Sequence, residues 1–485
     1  MLHVGAPQTV DQQKVFGAAV NYYEELAVPQ EAHYYTYPRQ VARKAYMKAM
    51  DTKKGPVHIN VPLFEPLVPE LDNKHFEAGR SPFNVVKPHY SSGCNYDNTS
   101  RISHVNNTSS SKNDSFLAKY KNILILAGPQ IDVVEANSIL LFATTLQVPI
   151  LADPLSNVRR CHNSVGSYSD KEYIDTSKVI ISTYDAFLAD KELWPMLKPD
   201  CVIQFGQIVV SKRVQQMVAS WDNVEYIEVN PTMDSMNPTG KTTMHMQASI
   251  DVFTNLYGVQ KNDSPEYLDK WQHLETAGKE KLGTAIEEPS CFEGRTIREL
   301  QQHIPSNAQV LVANSMTIRY FDYFWFSGES TAELYGNRGV NGIDGTISTA
   351  LGLATNGLPT YLVTGDLSLF HDLNGLAVAK THNLNLTIIL HNNDGGGIFE
   401  YLPQKGTKHF DYLFSTSQGL DYSGAAKLYG CGYTKIASPN ELSTVLANVS
   451  SESGVYIIEI PTNREYSRQL HKKYTKVSVD MEALL

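Results

Sequence analysis

The sequence predicts an α/β protein made of doubly wound parallel-sheet domains, the first of them incomplete. Three observations lead to this prediction. Short apolar runs typical of buried strands alternate with segments of helical length, which is the pattern of parallel sheets crossed by helices. The polar and glycine-rich residues that could carry chemistry follow these strands, where ligands bind in such sheets. The first 70 residues contain too few strands to close a layer of their own.

The first segment, residues 1–70, shows a helical pattern around residues 10–50 and then a single buried-strand run, Val57–Val61. One or two helices and one strand cannot form a closed α/β layer. We therefore interpret residues 1–70 as the C-terminal remnant of a domain. Residues 71–115 end in a stretch rich in Ser and Asn and poor in aliphatic side chains, which predicts a linker or loop.

Two further α/β domains are predicted, at residues 116–260 and 285–485, with a polar stretch between them. The candidate strands of the first are Ile123–Leu126, Pro149–Leu151, Val179–Ile181, Val202–Phe205 and Val224–Val229. Those of the second are Gln309–Ala313, Thr360–Thr364, Leu386–Leu390 and Val455–Ile460. Helix-length segments separate these runs, so each domain is expected to contain a parallel sheet.

The charge, hydropathy and cysteine content of the sequence indicate which classes of binding partner to expect. A formal net charge of −10 without basic stripes argues against nucleic-acid binding. No apolar run approaches the roughly 18 residues that a membrane span needs. Five scattered cysteines without a Cys-x-x-Cys pair fit a reducing compartment and offer no zinc site. With no targeting segment recognised, we expect a cytoplasmic protein that has no nucleic-acid or membrane partner.

The strongest chemical signal is a pair of polar strand ends. One predicted strand runs into Gly365-Asp366, and the next is followed by Asn393 and the glycines 395–397. One helix-length crossover lies between them, so a carboxylate and an amide are expected at adjacent strand ends. Mg²⁺ prefers such oxygen ligands and often shares its shell with phosphates, which glycine turns can approach closely. Either half alone fits a helix cap or a tight turn equally well.

This Gly-Asp…Asn-Asn pattern resembles the diphosphate–metal motif of thiamine-diphosphate enzymes. Longer segments make the resemblance narrower: Ala313–Arg319, Gly336–Gly345 and Asn393–Phe399. They look like the 2-succinyl-5-enolpyruvyl-6-hydroxy-3-cyclohexene-1-carboxylate synthases of menaquinone biosynthesis, which join 2-oxoglutarate to isochorismate with loss of CO₂. The resemblance runs nearly end to end and implies the thiamine-diphosphate-enzyme architecture. It also implies thiamine diphosphate and Mg²⁺ (or Mn²⁺) as cofactors, 2-oxoglutarate and isochorismate as substrates, and a homodimer or homotetramer.

The resemblance assigns residues to the cofactor. It implies that Asp366, Asn393 and the Gly395 carbonyl ligate the metal, and that Ile343 supports the bent cofactor from beneath. By itself, Ile343 would fit ordinary core packing. The other residues expected to contact the cofactor and exclude water are Leu367, Ser368, Ile398, Phe399 and Leu402.

A second set of residues is expected to bind the substrates, each of which carries two carboxylates. Arginine binds a carboxylate with two parallel hydrogen bonds. The candidates are Gln8, Lys212, Arg213, Ser315, Arg319 and Arg338, and we count Arg319, Arg338 and Ile343 as the catalytic residues. Arg338 is the strongest candidate because it lies in a short loop after a strand-like run, and Lys212-Arg213 is the weakest. Solvated surface charge is the alternative for each cation.

In this family, a glutamate near the start of the first domain hydrogen-bonds the pyrimidine ring of the cofactor. No residue of this sequence matches it, and Glu24 and Glu25 lie on a predicted helix without the surrounding motif. We therefore expect a sequence that begins within the first domain and, expressed as written, does not catalyse the reaction. Two alternatives stay open: another thiamine-diphosphate decarboxylase or synthase, such as an acetolactate-type enzyme, and a non-catalytic cofactor-binding or scaffold subunit.

Overall fold

The structure is a computed structural model that describes residues 12–28, 36–63, 116–129, 131–160, 175–232, 235–257, 265–338, 341–449 and 453–479. The chain divides into two compact units, Met1–Asn107 and Thr108–Leu485. None of the helices in these described ranges is long and apolar enough to cross a membrane.

The described part of the first unit contains two parallel strands and one helix. Strands β1 (Tyr22–Glu25) and β2 (Val57–Asn60) pair in parallel, and helix α1 (Thr36–Ala49) contacts both. The helical pattern predicted around residues 10–50 is therefore wrong at β1, and Glu24 and Glu25 lie on a strand. The aromatic pair Tyr22-Tyr23 favours a strand, and pairing with β2 outweighs the weak helical periodicity.

The second unit contains two sheets, and the first of them has six strands. They are β3 (Ile123–Ala127), β4 (Ile150–Ala152), β5 (Ile180–Ile181), β6 (Cys201–Phe205), β7 (Glu225–Asn230) and β8 (Met244–Gln247). All neighbours are parallel, in the order β5-β4-β3-β6-β7-β8. The five predicted strands are confirmed to within two residues, whereas the half-buried edge strand β8 was not predicted.

The helices of this sheet are α2 (Val133–Leu146), α3 (Tyr184–Phe187), α4 (Leu193–Met196), α5 (Lys212–Ser220), α6 (Ile250–Tyr257) and α7 (Pro265–Gly283). Helix α2 begins where the Asp132 side chain accepts a hydrogen bond from the Glu135 amide, and the Glu135 side chain accepts one from the Asp132 amide. This reciprocal cap satisfies donors that a helix start leaves unpaired.

Helix α7 occupies the polar stretch between the predicted domains and contacts both α3 and the last helix, α15 (Arg464–Thr475).

The second sheet also has six parallel strands, in the order β10-β9-β11-β12-β14-β13. They are β9 (Gln309–Val312), β10 (Glu333–Tyr335), β11 (Thr360–Gly365), β12 (Leu386–Asn392), β13 (Gly432–Lys435) and β14 (Val455–Pro461). Its remaining helices are α8 (Glu293–His303), α9 (Met316–Phe324), α10 (Thr346–Ala354), α11 (Asp366–His371), α12 (Leu376–His382), α13 (Tyr422–Tyr429) and α14 (Leu442–Val449). The two all-parallel sheets confirm the predicted doubly wound α/β architecture.

Each sheet reverses its strand order at one interior pair of strands, and such reversals are where open α/β sheets bind ligands. In the first sheet the reversal lies between β3 and β6, and there a Cβ atom on Gly128 would lie 1.6 Å from the Gln207 carbonyl oxygen. The chain itself therefore fills the space beside Gly128. In the second sheet the reversal lies between β9 and β11. The carboxyl ends of β9 and β11 thus become the place to look for a site.

A buried arginine joins the two sheets. Arg159, which follows β4, is 1% exposed and donates hydrogen bonds to the carbonyl oxygens of Ala152 (2.7 Å), Asp322 (2.9 Å) and Trp325 (3.1 Å). Its guanidinium also forms an ion pair with the Asp322 carboxylate at 2.5 Å, and the Tyr184 hydroxyl donates to the same carboxylate at 2.8 Å. Asp322 lies on α9, so this contact fixes the helix that leads from β9.

Candidate functional site

A cavity of about 150 Å³ opens at the carboxyl ends of β9, β11 and β12. The cavity is lined by the turns that follow these strands, by Ile343 and by three further side chains. The turns are 314–317, 365–368, Asn393 and 395–399, and the further side chains are Glu293, Tyr320 and His391. The polar strand ends identified in the sequence are therefore brought together around one cavity.

Asp366 and Asn393 lie side by side at this cavity. Strands β11 and β12 pair in a register that places Gly365 opposite His391, so the two residues follow adjacent strand ends. The Asp366 carboxylate is 4% exposed and accepts a hydrogen bond from the Gly395 amide at 2.6 Å. In the described part of the chain the Asn393 Oδ1 atom is buried without a hydrogen-bond partner.

These oxygens fit a hard divalent cation. Burial raises the pKa of Asp366 to about 6, because the carboxylate has lost water. A nearby cation would compensate that loss, and it would also give Asn393 Oδ1 the partner that it lacks. One carboxylate, one amide oxygen and a backbone carbonyl leave coordination positions for phosphate oxygens, as Mg²⁺ sites commonly do. The residues present therefore fit a Mg²⁺–diphosphate group.

The glycine turn after β12 has little room for any side chain. Gly395 has a φ angle of +137°, and a Cβ atom there would lie 2.2 Å from both the Arg464 Nη1 atom and the Ser415 carbonyl oxygen. A Cβ atom on Gly396 would meet the Phe399 ring at 2.5 Å. Both backbone conformation and close packing thus require glycine at 395, and the backbone stays accessible to a ligand.

Ser315 and the N-terminus of α9 form the opposite wall. Ser315 has φ +65° and ψ −132°, a sparsely populated conformation for a residue other than glycine, and α9 starts at the next residue. Such strain is concentrated at functional sites. Met316 and Thr317, in the first turn of α9, also line the cavity. Because a helix N-terminus favours anions, this wall is suited to a phosphate group.

Arg319 and Arg338 each contact a residue that lines the cavity. The Arg319 guanidinium donates to the Ser315 carbonyl oxygen, and the Arg338 guanidinium donates to Asn314 Oδ1 at 2.8 Å. Loss of water around the guanidinium groups lowers the pKa of both arginines, and the Asp153 carboxylate opposes this effect on Arg338. Each arginine therefore lies beside a residue that lines the cavity.

Arg213 is held at the contact between the two sheets. Its guanidinium donates to the Asp185 carbonyl oxygen at 2.6 Å and carboxylate at 2.8 Å, and to the Tyr323 hydroxyl at 2.5 Å. Tyr323 lies one turn after Arg319 on α9, so the structure places Arg213 close to the helix that carries Arg319. Lys212, at the first position of α5, is exposed.

The remaining predicted residues are placed as follows. Ile343, Leu367, Ser368, Ile398 and Phe399 all line the cavity. Leu402 is 37% exposed and lies outside the cavity wall. Gln8 lies outside the described residues.

The three further side chains of the cavity were not predicted as site residues. Glu293 starts α8 and is 3% exposed; its Oε1 atom accepts from the Thr462 and Ser467 hydroxyls at 3.0 Å, and burial raises its pKa. Tyr320 is buried on α9. His391, near the end of β12, also lines the cavity, and burial lowers its pKa to about 3. An acid at a helix start is common, so the sequence held no signal for Glu293.

Comparison with known proteins connects this geometry to one family. A model described as the middle domain of thiamine pyrophosphate matches residues 96–312, and one described as the thiamine pyrophosphate enzyme C-terminal TPP-binding domain matches residues 315–460.

A protein of Lactococcus lactis subsp. cremoris is 44% identical over 478 residues, which cover 97% of this chain and 80% of the relative. A protein of Desulfitobacterium hafniense is 38% identical over 476 residues (98% and 80%). One of Bacillus cytotoxicus is 36% identical over 484 residues (98% and 78%). All three bear the name 2-succinyl-5-enolpyruvyl-6-hydroxy-3-cyclohexene-1-carboxylate synthase.

Proposed function

This chain belongs to the family of 2-succinyl-5-enolpyruvyl-6-hydroxy-3-cyclohexene-1-carboxylate synthases, and we propose that it binds thiamine diphosphate with Mg²⁺ for that reaction. The reaction decarboxylates 2-oxoglutarate and adds the remaining fragment to isochorismate in menaquinone biosynthesis. The observation that carries the proposal is the pairing of Asp366 with Asn393 across the ends of β11 and β12, at a cavity that also contains the N-terminus of α9.

The residues of the cavity have distinct tasks in this proposal. Asp366, Asn393 and the Gly395 carbonyl hold Mg²⁺, which carries the diphosphate group of the cofactor. When bound, thiamine diphosphate would supply the carbon nucleophile and the electron sink that decarboxylation of a 2-oxoacid needs. Ile343 supports the cofactor from one side, and Ile398 and Phe399 exclude water from it.

Arg319 and Arg338 would bind the substrate carboxylates. Both contact the wall formed by Asn314 and Ser315, so an anion held by them would lie at the edge of the cavity. A site for pyruvate alone needs fewer cations than one for two substrates with two carboxylates each. The arginine pair therefore favours this reaction over that of an acetolactate-type enzyme.

Titration calorimetry tests the proposed cofactor. Thiamine diphosphate should bind the 485-residue chain in the presence of Mg²⁺ or Mn²⁺, and binding should disappear when a chelator removes the metal. Thiamine without its diphosphate group is the control ligand, because it lacks the atoms that the metal would bridge. Binding that does not change between metal and chelator would contradict the proposal.

Arg338→Lys should weaken binding of 2-oxoglutarate to the cofactor-loaded chain. Lysine keeps the charge but cannot form two parallel hydrogen bonds with one carboxylate. The loss of a charge-assisted contact is expected to be about 1.5–3 kcal/mol. Equilibrium titration with 2-oxoglutarate measures it, and Arg160→Lys is the matched control because Arg160 contacts Glu333 and the Thr331 carbonyl oxygen, which do not line the cavity. The same affinity for Arg338→Lys and the parent would show that Arg338 is not a substrate ligand.

The chain expressed as written is expected to bind the cofactor without turnover. The reason is chemical: none of its 485 residues matches the glutamate that, in this family, activates the cofactor. The assay follows release of CO₂ from 2-oxoglutarate with isochorismate present, with the Lactococcus lactis relative as positive control. Turnover comparable to that of the relative would contradict this expectation and would require a different acid within the sequence. A non-catalytic cofactor-binding subunit would also bind the cofactor without turnover.

A further inference from the structure

Arg464 lies behind the metal loop, which we define as residues 393–397. It is the first residue of α15, directly after β14, and comes 70 residues later in the chain than Asp394. Its Nη1 atom donates to the Asp394 carbonyl oxygen at 2.5 Å and to Ser417 Oγ at 3.0 Å. The Ser415 carbonyl oxygen is 3.5 Å away. One guanidinium therefore touches the metal loop and the chain segment that covers it.

Residues 415–419, which we name the covering segment, hold the same loop from outside. The Ser417 hydroxyl donates to the Asp394 carbonyl oxygen at 2.9 Å, and the Gln418 and Gly419 amides donate to the Asp394 carboxylate at 3.0 and 2.8 Å. The Ser415 carbonyl oxygen accepts from the Gly396 amide at 2.8 Å. Asp394 has a φ angle of +54°. Its neighbours thus offset the cost of a conformation that aspartate rarely adopts.

Stability of α15 does not account for an arginine at this position. The N-terminal end of a helix carries partial positive charge, so a cation in the first turn is unfavourable there. Carbonyl oxygens of the metal loop and covering segment surround the guanidinium instead, and the Glu400 carboxylate lies 3.8 Å from its Nε atom. The charge of Arg464 is therefore directed at the loop.

We propose that Arg464 is a positioning residue that holds the metal loop in the conformation in which Asn393 Oδ1 and the Gly395 carbonyl can ligate Mg²⁺. This inference rests on the proposed function, because it presupposes a metal-dependent cofactor. Mg²⁺ requires nearly ideal octahedral geometry with ligand distances of about 2.0–2.1 Å. A small displacement of the loop should therefore weaken metal binding even though Arg464 contacts neither metal nor cofactor.

The test compares the Mg²⁺ dependence of thiamine diphosphate binding in four chains: the parent, Arg464→Gln, Arg464→Lys and Arg468→Gln. Arg468 is the matched control, because it lies one turn further along α15 and pairs only with Glu465, at 3.7 Å, among the ion pairs of the described residues. We expect Arg464→Gln to need about 10–100-fold more Mg²⁺ for half-maximal cofactor binding, the range seen when a group supporting a metal ligand is removed. Arg464→Lys should lie between it and the parent, since an ammonium keeps the charge without the planar fork.

A purely structural role would give a different result. It would lower the unfolding midpoint of the ligand-free chain and leave the Mg²⁺ dependence of the folded fraction unchanged. Ser417→Ala provides a second, milder variant if Arg464→Gln does not fold, because it removes one hydroxyl that bonds both Arg464 and Asp394. It should shift the Mg²⁺ requirement in the same direction by a smaller factor.

The outcomes separate this inference from the proposed function. If the parent shows no Mg²⁺-dependent binding, the proposed cofactor is wrong and the role of Arg464 falls with it. If the parent binds, and Arg464→Gln or Ser417→Ala requires the same Mg²⁺ concentration as the parent and Arg468→Gln, the inference about Arg464 alone is overturned. A shift confined to the Arg464 and Ser417 variants supports it.

Discussion

Asp366→Asn should weaken Mg²⁺-dependent binding of thiamine diphosphate by more than about 100-fold, beyond the range for groups that only support a metal ligand. The substitution removes the carboxylate of the pair at the ends of β11 and β12 and keeps its shape. An asparagine oxygen can still accept the hydrogen bond that the Gly395 amide now gives to Asp366. The ligand-free fold should therefore survive while the metal site loses its negative charge.

Stability measured without ligand distinguishes this outcome from misfolding. Burial already disfavours the charged form of Asp366, which is why its pKa is raised to about 6. A neutral amide avoids that desolvation cost, so the ligand-free variant should unfold no earlier than the parent at neutral pH. Asp222→Asn is the control. Asp222 is exposed and lies just before β7 of the first six-stranded sheet, so this change should leave cofactor binding unchanged. Parent-like affinity in Asp366→Asn would remove Asp366 from the metal site.

Arg159→Leu should reduce the free energy of unfolding by about 3–5 kcal/mol, the cost of removing one partner of a buried ion pair. Among the described residues, the Tyr184 hydroxyl would remain as the one donor to the buried Asp322 carboxylate, and four carbonyl oxygens would lose a hydrogen bond. Urea unfolding followed by circular dichroism measures the change. A double variant, Arg159→Leu with Asp322→Leu, should recover part of the loss, because it removes the uncompensated charge as well.

The adjacent residue provides the control for that measurement. Arg160 carries the same charge, but its ion pair with Glu333 is partly exposed, and Arg160→Leu should therefore reduce stability by only about 1 kcal/mol. Similar losses in the two variants would indicate that chain position, and not the buried pair, determines the effect.

The fully buried strands could be predicted from the sequence because each lies in a local apolar run, even β4 and β5 with three and two residues. Strands β8 and β13 were missed, and β10 was recognised only as a strand-like run before Arg338; all three lie at sheet edges and are mostly half-buried. Edge strands bury less surface, so their sequences carry a weaker hydrophobic signal. At β1 the local pattern predicted a helix, and only pairing with β2, some 35 residues away, makes it a strand.

The same distinction holds for the site. Asp366 and Asn393 were predictable because each directly follows a strand, and parallel pairing brings such positions together. Glu293 and Arg464 reach the cavity region through contacts with residues far along the chain, 174 residues away for Glu293 and Ser467. Arg159 and Asp322 are separated by 163 residues. The sequence around these residues contains no local pattern that predicts such distant partners. The contacts could therefore be identified only from the folded structure.

The close approach of Gly128 to Gln207 has an evolutionary consequence. Any side chain at position 128 would collide with the carbonyl group of residue 207, so the turns after β3 and β6 cannot change independently. In related proteins, a substitution at 128 should appear together with a rearranged or lengthened turn at 207. A lineage that acquired both changes would open the crevice of the first sheet without altering its strand order. Two homologues could then share one topology and differ in how many ligands they hold.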